Sequence, residues 1–229
     1  MAKLRLSFAC ALYDRMQPLY TGEVQPAGIE LNFIPIEEPR PIFDRMSGGL
    51  EFDVAEYSSS EFVQRFANKQ CPFVAIPVFP SRAFRHGFIA INKKSGITKP
   101  KDLEGKRVGV PLYTMTAAIF IRGLLQHEFG VDFEKIHWVQ GAVNHAGAHG
   151  KPTVLPLLKH MFNLRALRYM TPFLMRDIDE IYEIFNGDPW PYGVEKNRKT
   201  LEALVTFLVD QHLIAAPVKV DDLFVPTYG

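Results

Sequence analysis

Apolar residues along this chain fall into short runs bounded by glycine, proline or polar residues. Seven such runs, rich in Val, Ile and Phe, predict strands at residues 3–12, 29–36, 53–57, 73–79, 87–91, 107–110 and 136–139. Between them the period changes to that of a helix. Ile42, Phe43, Met46 and Leu50 recur at helical spacing over 41–50, and Phe62, Val63, Phe66 and Ala67 do so over 60–68. The widest stripe, Ala117, Ala118, Ile121, Leu124, Leu125 and Phe129, predicts a helix over 114–129. Alternating β and α segments with apolar strands predict an α/β fold whose sheet is largely parallel and covered on both faces. From residue 165 onward only helices are expected, at 165–174, 176–185, 195–211 and a short 220–224. The stretch Asn186 to Gly193, with two prolines and two aromatic residues, reads as an ordered loop.

In an open α/β sheet, ligands meet the carboxyl ends of strands, where the next helix begins. Each such end here carries reactive side chains. The first strand runs into Tyr13, Asp14 and Arg15, with a helix starting near Gln17-Pro18. The third runs into Ser58, Ser59 and Ser60 at a helix start, where hydroxyls either cap free N–H groups or help hold an anion. The fourth runs into Ser81, Arg82, Arg85 and His86, either a solvated basic turn or a cation cluster that grips a carboxylate. The strand at 107–110 runs into Thr114 and Thr116, hydroxyls at another helix start.

Composition narrows the choice of partner. With 229 residues, 47% hydrophobic and 22% charged, the chain has ordinary globular content. Lys and Arg total 26 against 25 Asp and Glu, so no overall field attracts nucleic acid or an anionic membrane. An anionic partner must meet a local group of cations. No Gly-x-x-x-x-Gly-Lys-Ser/Thr spacing exists, which argues against a nucleotide. His145 and His149 stand four apart, but the glycines around them predict a loop, and no metal site is expected. The two cysteines, Cys10 and Cys71, read as buried thiols. No export signal and no apolar run of membrane length is present, so a cytoplasmic location is expected.

These stretches together resemble the 4,5-dihydroxyphthalate decarboxylase family. The resemblance rests on Leu-Ser-Phe-Ala-Cys-Ala-Leu-Tyr-Asp-Arg from Leu6, Glu-Tyr-Ser-Ser-Ser-Glu-Phe from Glu56 and Phe-Val-Ala-Ile-Pro-Val-Phe-Pro-Ser-Arg from Phe73. It continues in Phe-Arg-His-Gly-Phe-Ile from Phe84, Asp-Leu-Glu-Gly-Lys-Arg-Val-Gly-Val-Pro from Asp102 and Gly-Asp-Pro-Trp-Pro-Tyr-Gly from Gly187. The similarity runs to about Leu158 and resumes near Leu164. It implies a fold like the type-2 periplasmic binding proteins, with residues 1–97 and 165–229 as one α/β lobe. Residues 98–164 would form a second lobe shortened between about Lys159 and Asn163.

The resemblance also implies non-oxidative decarboxylation of 4,5-dihydroxyphthalate to protocatechuate, without a cofactor. The partner would be a small aromatic dicarboxylate, and a homo-oligomer is compatible with the sequence. Residue type and placement suggest His86, or one of His145 and His149, as proton donor, with Asp14 or Tyr13 orienting or deprotonating a phenol. Arg15, Arg82 and Arg85 are the candidate carboxylate cations, and Ser58, Ser59, Thr114 and Thr116 the candidate hydroxyls. Two further readings stay open from the sequence. One is a small-carboxylate binding protein serving a transporter, and the other a shortened, inactive family member.

Overall fold

The computed structural model describes residues 2–141 and 182–226. Residues 2–58, 79–81 and 182–191 form one compact unit, and 59–78, 82–141 and 192–226 form another.

In the first unit, β1 (Leu4–Cys10), β2 (Ile29–Pro35) and β3 (Val54–Ala55) make a parallel sheet in the order β2-β1-β3. The register pairs Leu4 with Ile29 through Cys10 with Pro35, and Phe8 with Val54. With a neighbour on either side, the end of β1 runs into the interior. Ala9 and Cys10 are fully buried, and Ala11, Tyr13 and Met16 are nearly so. A 3-10 turn (Asp14–Met16) and α1 (Gln17–Thr21) follow, and Gly22 at φ +78 supplies the left-handed residue that ends the helix. Then α2 (Pro39–Gly49), with proline at its first turn, buries Ile42 and Met46 four residues apart on one face.

In the second unit, β4 (Arg107–Val110) and β5 (His137–Gln140) pair in parallel, with α4 (Thr116–His127) between them in sequence. Leu103, Leu125, Val131 and Ile136 form the core beneath this pair. Two more helices complete the unit, α3 (Ser59–Ala67) and α5 (Val194–Asp210). The apolar face of α5 carries Leu201, Leu204, Val205, Phe207 and Leu208. It approaches α4 so closely that a Cβ added at Gly123 would lie 2.3 Å from the Phe207 ring. Arg198 on α5 bonds both Glu195 and Asp221, tying the 3-10 turn Val220–Leu223 to the helix.

The helices expected at 41–50, 60–68, 114–129 and 195–211 are present with ends shifted by one or two residues. Strands 3–12, 29–36, 107–110 and 136–139 are present too. The strand expected at 53–57 shrinks to Val54–Ala55, because Asp53 turns its carboxylate onto Ser7 N and Oγ at 2.8 and 2.7 Å. Those two donors hold the Asp53 carboxyl below its usual range.

Two expected strands are absent. Residues 73–79 make one isolated parallel bridge, Ala75 to Phe224, and leave Val74, Ile76 and Val78 exposed. Residues 87–91 begin as a 3-10 turn at His86–Phe88 and join no ladder. An apolar run becomes a strand only where another backbone takes up its N–H and C=O groups in succession. The first run has only isolated bonds, Val225 N to Ala75 O and Gly193 N to Pro77 O, and the second pairs with no described strand. The helix expected at 165–174, most of 176–185, and the gap near Lys159 to Asn163 lie outside the described residues.

Candidate functional site

The end of β1 brings Tyr13, Asp14 and Arg15 together, as expected, and adds Glu56. Glu56 follows β3, which pairs beside β1, so the register delivers its carboxylate to the β1 tip. Its Oε1 accepts the Tyr13 hydroxyl at 2.6 Å, and its Oε2 accepts Ala11 N at 3.3 Å and the Cys10 thiol at 3.6 Å. Tyr13 and Glu56 are both buried. Burial and the adjacent Glu56 carboxylate push the Cys10 thiol above its ordinary value. Cys10 and Cys71 are both unbridged; Cys10 is buried and Cys71 half-buried.

Arg15 lies between two rings, its guanidinium carbon 4.8 Å from the Tyr13 centroid and 4.2 Å from that of Trp190. Its Nε donates to Pro80 O at 2.6 Å and its Nη1 to Asp14 Oδ1 at 2.9 Å. Trp190 is itself anchored by Nε1 donating to Phe79 O at 3.1 Å. The Asn186 to Gly193 loop therefore has a defined task, to bring an aromatic face onto Arg15. About half of the Asp14 side chain and a fifth of Arg15 stay exposed, so this pair is the accessible part of the tip.

Of the three serines, Ser58 is half-buried and Ser59 exposed. Ser60 is the fully buried one, and it joins the threonines after β4. Ser60 Oγ donates to Thr114 O at 3.0 Å, and Thr116 Oγ1 meets Ser60 Oγ at 3.0 Å and Ser60 N at 3.2 Å. The starts of α3 and α4 are thus linked by hydroxyls. The sequence placed serine and threonine at both helix starts; which serine reached the other start depended on the fold.

Beneath the turn after β4 lies Arg122, fully buried and not foreseen from the sequence. Its Nε donates to Gln211 Oε1 and its Nη2 to Tyr113 O, both at 2.7 Å. Its position within an apolar helical stripe is the signal that was available, since a cation there must find buried acceptors or remain exposed.

Arg82 and Arg85 are half-buried, and His86 is exposed. Arg85 sits over the Phe88 ring, and His86 Nε2 lies 3.0 Å from Glu128 Oε2. Arg85 and His86 border a groove of about 240 Å³ whose floor includes Ile89, Ile97, Leu103 and Leu125. Among the described residues no group of three or more His, Cys, Asp or Glu is placed to hold a metal, and no helix is long and apolar enough to cross a membrane. His145 and His149 lie outside the described residues.

Residues 25–151, more than half of the chain, match the model of the NMT1/THI5 like family. Curated relatives include a 4,5-dihydroxyphthalate decarboxylase of Comamonas testosteroni, 43% identical over 141 residues, which are 62% of this chain and 42% of that protein. A 4,5-dihydroxyphthalate decarboxylase of Pseudomonas putida is 40% identical over 147 residues, 64% of this chain and 57% of that protein. The chain spans about half the length of the curated relatives it matches.

Proposed function

Because the chain belongs to the NMT1/THI5 like family, we propose that it is a carboxy-lyase acting on 4,5-dihydroxyphthalate, with protocatechuate and carbon dioxide as products. The identity to two proteins bearing that decarboxylase name carries the reading. The fold that goes with this reading is that of the type-2 periplasmic binding proteins.

The reaction needs no electron acceptor. A hydroxyl para to the departing carboxylate pushes electron density to the ipso carbon, which takes up a proton. The bond to the carboxylate then breaks, its electron pair restores the aromatic ring, and carbon dioxide leaves. Such chemistry calls for cations to hold two carboxylates, a group to take the phenolic proton and an acid for the ring carbon.

In the first unit, Arg15 and Asp14 are the accessible pair suited to a carboxylate and a phenol. Tyr13 is buried against Glu56, so in this reading it holds the tip in shape and does not meet the ring. In the second unit, His86 is the proposed proton donor, its ring held by the Glu128 carboxylate at hydrogen-bond distance. Arg82 and Arg85 precede it in sequence, and Ser58, Ser59, Thr114 and Thr116 supply hydroxyls at two helix starts.

Incubating the purified chain with 4,5-dihydroxyphthalate and following protocatechuate by chromatography tests the reading. Product is expected, with a His86→Asn variant slower by about a hundredfold. Tight calorimetric binding of the diacid without product would turn the assignment toward a carboxylate-binding protein. The absence of both binding and product would overturn it.

A further inference from the structure

Arg122 is a buried cation among neutral partners. Its acceptors are an amide oxygen, Gln211 Oε1, and a peptide oxygen, Tyr113 O. Its Nη1 is buried with no acceptor among the described residues, and no described carboxylate forms an ion pair with it. The guanidinium carbon lies 3.6 Å from the Tyr113 ring centroid and 5.6 Å from that of Trp138. Burial lowers its pKa to about 10, so it is still charged at neutral pH.

Removing a full charge from water is unfavourable unless an opposite charge accompanies it. Gln211 is held in turn, its Nε2 donating to Ile119 O at 3.0 Å, so the guanidinium is locked from both sides. What it locks is the turn at Tyr113. That turn is also held by Tyr113 N donating to Gln140 Oε1 at 2.8 Å and by Thr114 O accepting from Ser60 Oγ.

The same turn opens α4 and touches the start of α3, two helix ends that each carry partial positive charge. Glu61, the carboxylate in the first turn of α3, is taken up by Arg65 at 3.3 Å. Two helix starts and a buried guanidinium therefore stand beside Tyr113, Thr114 and Thr116, and the buried carboxylate that would neutralise Arg122 is missing from the described residues.

We propose that Arg122 is a positioning residue for anion capture. It fixes the Tyr113-to-Thr116 turn through the Tyr113 carbonyl and ring, and its charge, which no described carboxylate neutralises, strengthens the hold of that turn on a small carboxylate or phosphate-like anion. The naming of that anion as the aromatic diacid rests on the decarboxylase reading; the capture itself does not. A charge buried in a low dielectric is screened little by salt, which separates this role from that of a surface cation.

The test measures protection against thermal unfolding by inorganic phosphate, 4,5-dihydroxyphthalate and neutral catechol. It uses the full chain, Arg122→Met and Arg122→Lys, at low salt and at about 0.5 M sodium chloride. Both anions are expected to protect the unaltered chain. The Met variant should bind them about tenfold more weakly, by the same factor at both salt levels, with catechol changed by less than about twofold. The Lys variant, which keeps the charge without the fork, should regain most of that loss. Equal losses of all three ligands in both variants would mean a purely structural role and would overturn the proposal. Failure of either anion to protect the unaltered chain, or equal protection of the unaltered chain and the Met variant, would also overturn it.

Should the Met variant fail to fold, Gln211→Leu removes one acceptor and leaves the charge, and a tenfold loss of phosphate affinity there would refute the charge argument. Phosphate and diacid protection that depends on Arg122 without any protocatechuate formed would sustain this inference and remove the decarboxylase reading. Turnover of the diacid with a KM unchanged in Arg122→Met would do the reverse.

Discussion

At the β1 tip the buried ionisable group is a carboxylate, Glu56, and three donors converge on it from Ala11, Tyr13 and Cys10. Beneath the turn after β4 it is a guanidinium, Arg122, with two neutral acceptors and its Nη1 without an acceptor among the described residues. Both sit where a parallel strand hands over to the next segment. A carboxylate saturated by the protein's own donors has little left to offer a ligand, and its work is to hold the tip so that Asp14 and Arg15 face outward. A guanidinium whose charge goes unanswered by the described carboxylates still has its strongest interaction to make. Buried charge at two similar places thus marks a structural anchor in one and a binding device in the other, and the count of satisfied partners is what separates them.

The contrast predicts opposite balances of stability and binding. Glu56→Ala leaves the Tyr13 hydroxyl, Ala11 N and the Cys10 thiol without their acceptor. It should lower unfolding stability by about 3 kcal/mol, read from urea denaturation. A loss below about 1 kcal/mol would show that water replaces the carboxylate and that the tip is not the anchor described.

A smaller effect follows from Cys10, whose thiol is held protonated first by burial and then by the negative Glu56, with Arg15 opposing. The unfolded thiol ionises near pH 9 and the folded one well above it. Stability is therefore unaffected below pH 9 and falls as pH rises further, by about 1.4 kcal/mol per pH unit. Cys10→Ala should flatten the profile between about pH 9 and 10.5 by that amount; an unchanged slope would break the assignment.

The smallest expected change in stability is that of Arg122→Met, within about 1 kcal/mol. Relief of the buried charge there offsets the two hydrogen bonds lost. A loss as large as that of Glu56→Ala would erase the distinction between anchor and binding device.

Much of the candidate site could be read along the chain because its parts are local. A strand period that breaks at a Tyr-Asp-Arg tip, or hydroxyls at a helix start, needs only neighbouring residues to be recognised. The sequence therefore located Arg15, Thr114 and Thr116 at element ends, where the structure also has them. Glu56 was visible in its motif and Arg122 in its apolar stripe, yet their roles depend on partners 43 to 89 residues away. The same limit explains residues 73–79 and 87–91. Their composition is that of strands, but β structure requires a partner backbone, and among the described residues only Phe224 bridges the first of them.

By itself, the sequence determined which segments are helical, which runs are strand-like, and which ends carry charge and hydroxyls, since side-chain period and capping chemistry act over a few residues. Only the tertiary structure decided which serine met the threonines, that Tyr13 turned inward to Glu56 while Asp14 stayed exposed, and that Arg122 was buried with no carboxylate beside it among the described residues. Those outcomes depend on strand register and helix packing. Both are fixed by contacts between segments far apart in the chain, where the cost of burying a charge is set by whatever the fold brings beside it.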